Sequence, residues 1–143
     1  MIYISHRGYT NGSNEDLENN PDQIRYLLSK NIHVEIDLRF FKHKLYLGHD
    51  EPKYLIDKSF LSNDKLWCHA KDTESLNELS KINCHYFWHQ NDDYTITSKG
   101  YIWVYPGKRL IENSICVIPE KFKQDYSMCY GLCSDYLDKI IKI

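Results

Sequence analysis

The sequence predicts an α/β fold with parallel strands at its centre. Short apolar segments typical of strands are separated by polar connections along the whole chain. Two segments between the predicted strands carry apolar side chains at helical spacing, and a strand–helix–strand order favours parallel pairing through crossover connections. The later connections are too short for full helices. The pattern fits either an α/β barrel that lacks several outer helices or an open sheet.

The individual elements follow from local signals. Pro21 opens the first helix, because a proline in the first helical turn lacks only an N–H that has no partner there. Ile24, Leu27 and Leu28 form the apolar stripe of this helix, and Leu76 and Leu79 mark the second. The predicted strands are residues 1–5, 33–38, 40–47 with a turn at 42–44, 66–70, 86–89, 101–105, 115–118 and 131–133, and the predicted helices are 21–31, 73–82 and 136–141.

Length and composition are those of an ordinary globular protein. The chain has 143 residues, of which 42% are hydrophobic and 27% charged, and its net charge is −2. We therefore expect one domain, residues 1–143. Lys and Arg form no basic stripe, so we expect no nucleic-acid partner. No apolar run approaches the roughly 20 residues of a membrane span, and the N-terminal segment lacks a secretory signal, which predicts a cytoplasmic protein.

The five cysteines do not match a disulfide framework or a zinc ribbon, because their number is odd and no CxxC pair occurs. The pairs Cys68-His69 and Cys84-His85 leave a zinc set as an alternative. We favour buried strand cysteines in a reducing compartment, since free cysteine behaves as a small hydrophobic residue.

Two acidic side chains lie on the second predicted strand. Glu35 and Asp37 are two residues apart, and residues at i and i+2 of a strand point to the same face. Carboxylates that face the interior of a fold are costly unless something neutralises them, and divalent cations prefer such oxygen ligands. The pattern predicts a metal site, with an exposed strand face and two solvated acids as the alternative.

Histidines follow two extended segments. The first predicted strand leads into His6, Arg7 and Gly8. Active sites of parallel α/β folds lie at the carboxyl ends of strands, which favours His6 as a site residue and Arg7 as a bidentate phosphate ligand. His49 follows the extended segment 40–47 and offers a second imidazole for acid–base chemistry. A capping histidine with a surface arginine is the structural alternative for His6 and Arg7.

The third predicted strand ends near His69 and Lys71, which the i, i+2 rule puts on one face. His69 is a candidate metal ligand and Lys71 a candidate phosphate partner. A core histidine with satisfied hydrogen bonds and a surface lysine is the alternative interpretation. Each of these signals is weak by itself, and their order and common position at strand ends strengthen the prediction.

Taken together, these residues resemble the glycerophosphodiester phosphodiesterase family of the phospholipase C-like phosphodiesterases. The resemblance covers residues 1–71 best, 84–120 weakly and 131–141 in part. It implies a reduced TIM-type (β/α) barrel with several outer helices missing or shortened, since about 250 residues are typical of that fold. The matching elements are His6-Arg7-Gly8, Glu18-Asn19-Asn20 for a Glu-Asn-Thr-like element, Glu35-Ile36-Asp37, His49-Asp50, His69-Ala70-Lys71 for an acid-x-Lys element, and residues 131–136 for the last strand.

The resemblance also implies roles. One divalent metal ion (Mg²⁺, Ca²⁺, Mn²⁺ or Zn²⁺) would be bound by Glu35, Asp37 and His69. His69 stands where the family has an acid, which favours a softer cation such as Zn²⁺ or Mn²⁺ over Ca²⁺ or else weakens the metal site. The remaining roles are general base and acid for His6 and His49, phosphate binding for Arg7 and Lys71, and further site positions for Glu18, His89 and Glu120.

The expected activity is that of an enzyme, a phosphoric diester hydrolase acting on a small-molecule substrate such as a glycerophosphodiester. Two alternatives stay open. A non-catalytic phosphate- or metal-binding module on the same fold is favoured by His69. A phospholipase D-like lipid phosphodiesterase would need an exposed apolar patch beside the mouth of the site.

Overall fold

The centre of the molecule is a curled, mixed sheet of ten strands, seen in a computed structural model that describes residues 1–143. Two 3₁₀ turns, Lys58–Ser62 and Leu137–Lys139, lie outside the sheet. No helix has the length and apolar character needed to cross a membrane. The strands are β1 (Ile2–His6), β2 (His33–Phe41), β3 (Lys44–Leu47), β4 (Tyr54–Ile56), β5 (Leu66–Ala70), β6 (Tyr86–Trp88), β7 (Tyr94–Ile96), β8 (Ile102–Val104), β9 (Ser114–Val117) and β10 (Gly131–Ser134), and the helices are α1 (Pro21–Ser29), α2 (Thr73–Leu79) and α3 (Pro119–Phe122).

Parallel pairing dominates the sheet. Six parallel ladders join the strands in the order β6-β5-β2-β1-β10-β9-β8. The antiparallel strand β7 extends this order beside β8, and the hairpin β3-β4 continues antiparallel from the second half of β2. No ladder joins β6 to β8. The sheet is therefore a half-barrel whose seven parallel strands bring their carboxyl ends to one side.

The expected reduced TIM-type (β/α) barrel is wrong. Three short helices accompany ten strands, so helices do not alternate with strands around a closed barrel. Parallel neighbours usually need a crossover of a dozen or more residues, yet segment 105–113 connects β8 to the parallel strand β9 without a helix. The short connections visible in the sequence after residue 82 are the reason why the second half of the chain has strands without covering helices.

Several boundaries also differ from the prediction. The expected helix 136–141 is only the 3₁₀ turn Leu137–Lys139. The strands β4 and β7 and the helix α3 were not predicted, because each has only three or four residues and too few positions to show a period. Helix α1 starts where Pro21 predicts it, and the side chain of Asn20 caps it by accepting a hydrogen bond from the N–H of Asp22 over 2.9 Å.

The curled sheet separates two apolar regions. On the outer face, alternate residues of β2 and β5 pack with buried residues of α1 and α2. The concave face holds a second cluster with a side chain from six different strands, including Trp67, Phe87 and Trp103. Phe87 and Trp103 meet with 4.6 Å between ring centroids, although their strands do not pair. This aromatic layer fills the concave side and supports the polar side chains at the carboxyl ends of the strands.

His85 is enclosed at the opposite, amino end of β6. Its ring packs on Trp67 with 4.1 Å between ring centroids, and its Nε2 is 2.7 Å from Thr97 Oγ1. Only 2% of His85 is exposed. Burial, assisted by the positive charge of Lys99, lowers the pKa of His85 to about 4. The folded state therefore disfavours protonation of a side chain that the unfolded chain protonates readily.

We expect the free energy of unfolding to decrease as the pH falls from about 6.5, where the unfolded His85 binds a proton, to about 4, where the folded one does. Across this pH range, the titration of His85 lowers the free energy of unfolding by about 3 kcal/mol. Urea unfolding of a His85→Gln variant above pH 6.5 and near pH 4 should lack this part of the pH dependence. The exposed His43, changed to Gln, is the control and should keep it. Equal pH dependence in wild type and His85→Gln would contradict the prediction.

Candidate functional site

Strand β2 presents two acidic side chains to the concave face. Glu35 is 1% exposed and Asp37 is fully buried. The strand register places Glu35 beside His6 of β1 and Asp37 beside His69 of β5. Since the intervening residues of β2 are apolar and pack on the outer face, the alternating pattern of β2 positions both carboxylates on the concave face.

Glu35, Asp37 and His69 could together hold a metal ion, because their ligand atoms lie within 4.8 Å of one another. His69 Nε2 is 2.9 Å from the carbonyl oxygen of His89, so we assign a proton to Nε2, which donates to that oxygen. Nδ1 faces the carboxylates, 3.2 Å from Glu35 Oε1 and 3.6 Å from Asp37 Oδ1, and a bound cation would replace the proton that Nδ1 shares with Glu35. Metal-binding histidines typically donate their second N–H in this way.

The ionisation state of Glu35 follows from its neighbours. Burial by itself raises the pKa of this carboxyl group, but the hydrogen bond with His69 and the charges of His6 and Arg7 outweigh burial and hold the pKa well below its usual range. Glu35 is therefore an ionised ligand at neutral pH.

Asp37 is held in place by the loop that follows β1. Asn19 Nδ2 donates to Asp37 Oδ2 over 2.9 Å, and Asn19 Oδ1 accepts from the N–H of Asp37 over 2.9 Å. Arg7 Nε and Lys71 Nζ lie 3.2 and 4.0 Å from the carboxylate oxygens. Asp37 Oδ1 is buried and accepts no hydrogen bond. An unpartnered carboxylate oxygen in a three-residue ligand set fits a bound cation.

His6 is paired with Asp135, which directly follows β10. His6 Nδ1 is 2.7 Å from Asp135 Oδ1, and His6 Nε2 is 3.9 Å from Glu35 Oε2. Burial lowers the pKa of His6, but the hydrogen bond with Asp135 and the charge of Glu35 outweigh burial, so the pKa is raised. A carboxylate on Nδ1 fixes the orientation of the imidazole and leaves Nε2 available for proton transfer.

Arg7 lies between three carboxylates. Its backbone has a φ of 54°, and its N–H donates to the carbonyl oxygen of Glu35 over 3.0 Å. Arg7 Nη1 is 3.5 Å from Glu18 Oε2, the same oxygen that accepts a hydrogen bond from Tyr9. Burial lowers the pKa of Arg7, but the negative charges of Asp37, Glu35 and Glu18 outweigh burial. The pKa of Arg7 is therefore raised above its ordinary value. Arg7 therefore stays positively charged in the site.

His49 lies apart from this cluster. Its Nδ1 is 2.8 Å from Asp50 Oδ1, and its carbonyl oxygen accepts a hydrogen bond from Arg39 Nε over 3.0 Å. It lines a polar cavity of about 240 Å³ together with Glu18. No hydrogen bond or ion pair joins His49 to His6, and Glu18 is the side chain that reaches both this cavity and Arg7.

The two other predicted site residues support their neighbours. His89 contributes its carbonyl oxygen to His69, while its own Nε2 lies 2.5 Å from the carbonyl oxygen of Asp92. Burial lowers the pKa of His89. Glu120 accepts hydrogen bonds from Ser134 Oγ over 3.1 Å and from the N–H of Asp135 over 2.9 Å.

Sequence reasoning assigned no role to Asp135, Asn19 or Tyr9. Asn19 and Asp135 had a usable signal, because they lie in the segments 18–20 and 131–136 that match the resembling family. Tyr9 had none, since a polar loop of this composition does not indicate which side chains fold back under the sheet end.

A larger cavity than the one beside His49 lies elsewhere. It has a volume of about 560 Å³ and is formed between α1 and β4, with Arg25, Tyr54 and Phe60 among its lining residues. None of the clustered residues Glu35, Asp37, His69, His6 and Asp135 lines it. The polar cluster is therefore recognised by its chemistry and not by the size of a cavity.

Comparison of the chain with protein-family models, with curated proteins and with solved structures found no match in any of the three. The family resemblance thus remains a prediction from the motifs.

We expect Asn19→Ala to lower the free energy of unfolding by roughly 2–4 kcal/mol, because two buried hydrogen bonds to Asp37 are lost and the N–H of Asp37 is left without a partner. Asn19 also has a φ of 53°, a conformation that alanine disfavours. Asn31→Ala is the matched control, since Asn31 is exposed and has a φ of 64°. Urea unfolding of both variants separates the effect of the lost hydrogen bonds from that of the positive φ. An equal decrease in the free energy of unfolding for both variants would contradict the role of Asn19.

Proposed function

We propose that this protein hydrolyses a small phosphodiester, using a divalent cation bound by Glu35, Asp37 and His69. The observation that carries the proposal is the convergence of this ligand set with a His6–Asp135 pair and two cationic side chains at the carboxyl ends of adjacent parallel strands. The substrate class comes from the motif resemblance, which pairs these same residues with phosphodiester chemistry.

The ligand set supports a cation on three grounds. Two carboxylates and one imidazole suit Mn²⁺ or Zn²⁺, the contact of His69 Nε2 with the carbonyl oxygen of His89 turns Nδ1 into the set, and Asp37 Oδ1 has no hydrogen-bond donor. When bound, such a cation would neutralise negative charge that develops on the phosphoryl oxygens.

The chain's own residues would do the rest. His6 Nε2 would take a proton from the attacking water molecule while Asp135 holds Nδ1–H. The new P–O bond then forms as the bond to the leaving alcohol breaks, and His49 would return a proton to that alcohol across the cavity it lines. Arg7 and Lys71 would bind the phosphate oxygens, since both are cationic and lie beside Asp37.

A second function is a non-catalytic module that binds a metal ion or phosphate. The observation that favours it is the position of His49, which forms no hydrogen bond or ion pair with His6 or with the ligand set. Binding needs only the clustered residues, whereas turnover also needs a proton donor for the leaving group.

Metal binding is tested by calorimetric titration of the purified protein with Mn²⁺ and Zn²⁺. We expect one site per chain, and Asp37→Asn should weaken binding by about tenfold or more because the change removes an anionic ligand. Asp138→Asn, at an exposed position, is the control and should bind like wild type. Equal affinity of Asp37→Asn and wild type would refute the ligand set.

Turnover is tested with a panel of glycerophosphodiesters and an aryl phosphodiester in the presence of Mg²⁺, Ca²⁺, Mn²⁺ or Zn²⁺. His6→Ala should lower kcat by about 10²–10⁴-fold, the usual contribution of a general base, and His49→Ala should also lower it. His43→Ala, at an exposed turn, should not. Metal binding without turnover on any substrate would favour the binding module, and the absence of both metal binding and turnover would exclude the hydrolase and a metal-binding module.

A further inference from the structure

Glu120 belongs to a short helix on the outer side of the sheet, yet its carboxylate reaches the end of β10. Oε1 accepts a hydrogen bond from the N–H of Asp135 over 2.9 Å, and Oε2 accepts one from Ser134 Oγ over 3.1 Å. Ser134 is fully buried, and its Oγ in turn accepts from the N–H of Tyr136 over 2.9 Å. One carboxylate therefore holds two consecutive residues where the strand stops.

This contact matters because the sheet no longer holds the chain there. The ladder between β1 and β10 has its last pair at Ser5 and Ser134, so Asp135 is beyond it. The backbone of Asp135 is instead fixed by Glu120 on its N–H and by the N–H of Gly12 on its carbonyl oxygen over 2.7 Å. Of these two contacts, the one with Glu120 involves a charged acceptor and is the stronger type.

The side chain of Asp135 points to the concave face, since Cys133, two residues earlier, packs in the cluster on that face. There it meets His6 Nδ1 at 2.7 Å. Ser134, between them, faces Glu120 on the outer side. The alternation of strand residues thus connects a carboxylate on one face of the sheet with an imidazole on the other.

We propose that Glu120 is a positioning residue, which sets the orientation of the His6 ring by fixing the backbone of Asp135. The consequence for kcat rests on the proposed function of His6, whereas the effect on the ring orientation does not. Glu120 itself lies behind Asp135 and touches neither His6 nor the ligand set.

The first readout is ¹⁵N NMR of the histidine rings in the whole protein, without substrate. At a pH where the His6 ring is neutral, wild type should show a single His6 tautomer with the proton on Nδ1, and Asp135→Asn should disturb it. Glu120→Ala should give the same mixed tautomers as Asp135→Asn, and Glu120→Asp, which keeps the charge but is too short for both contacts, should do so in part. Glu120→Gln retains an acceptor for the N–H of Asp135 and should restore the wild-type spectrum.

The second readout is turnover with Mn²⁺ and the diester panel. Glu120→Ala should lower kcat by about 10–100-fold with little change in KM, and the double variant with Asp135→Asn should be no worse than Asp135→Asn alone. Glu112→Gln, at an exposed position, is the control. A wild-type His6 spectrum in both Glu120→Ala and Glu120→Asp would overturn the proposal. Altered spectra in a protein without turnover would leave the positioning role standing and refute only the hydrolase.

Discussion

Two carboxyl groups lie side by side on β2, where almost no solvent reaches them. Buried charges of one sign are tolerated only with hydrogen bonds and opposite charges around them. Much of the loop after β1 serves this need, because Arg7 and Asn19 both turn into the left-handed region of φ and bring a guanidinium and an amide to Asp37. The conformation of an otherwise irregular segment is thus set by the charge of its neighbours.

The sheet brings the side chains of the site close together. In parallel strands the carboxyl ends lie on one side, and β10, β1, β2 and β5 are consecutive neighbours. Asp135, His6, Glu35 and His69 therefore come together although they are far apart in the chain. Closure of a barrel is not needed for this arrangement, since all four strands lie in the middle of the half-barrel. The concave face is filled by aromatic rings instead of a full circle of strands.

The first half of the chain could be interpreted well from its sequence, because β1, α1, β2, β5 and α2 show regular periods and clear ends. The same periods put Glu35 and Asp37 on one face and His69 beside them. The overall architecture could not be predicted, since whether short connections close a barrel depends on how strongly the sheet curls. Asp135 was given no role because its contact with His6 depends on pairing between β1 and β10, which lie at opposite ends of the chain. Glu120 was expected among the site residues, but its position behind Asp135 depends on the same pairing.

His69 changes the charge balance at the position where the resembling family has an acid. Arg7 lies against Asp37, Glu35 and Glu18, and Lys71 lies 4.0 Å from Asp37, so two cationic side chains already face three carboxylates. A carboxylate in place of His69 would add a further buried negative charge, which is costly unless something neutralises it. An imidazole adds no negative charge, and as a ligand it would favour a softer cation over Ca²⁺. The exchange of an acid for histidine would therefore lower the electrostatic cost of the cluster without a cation and change its metal preference at the same time.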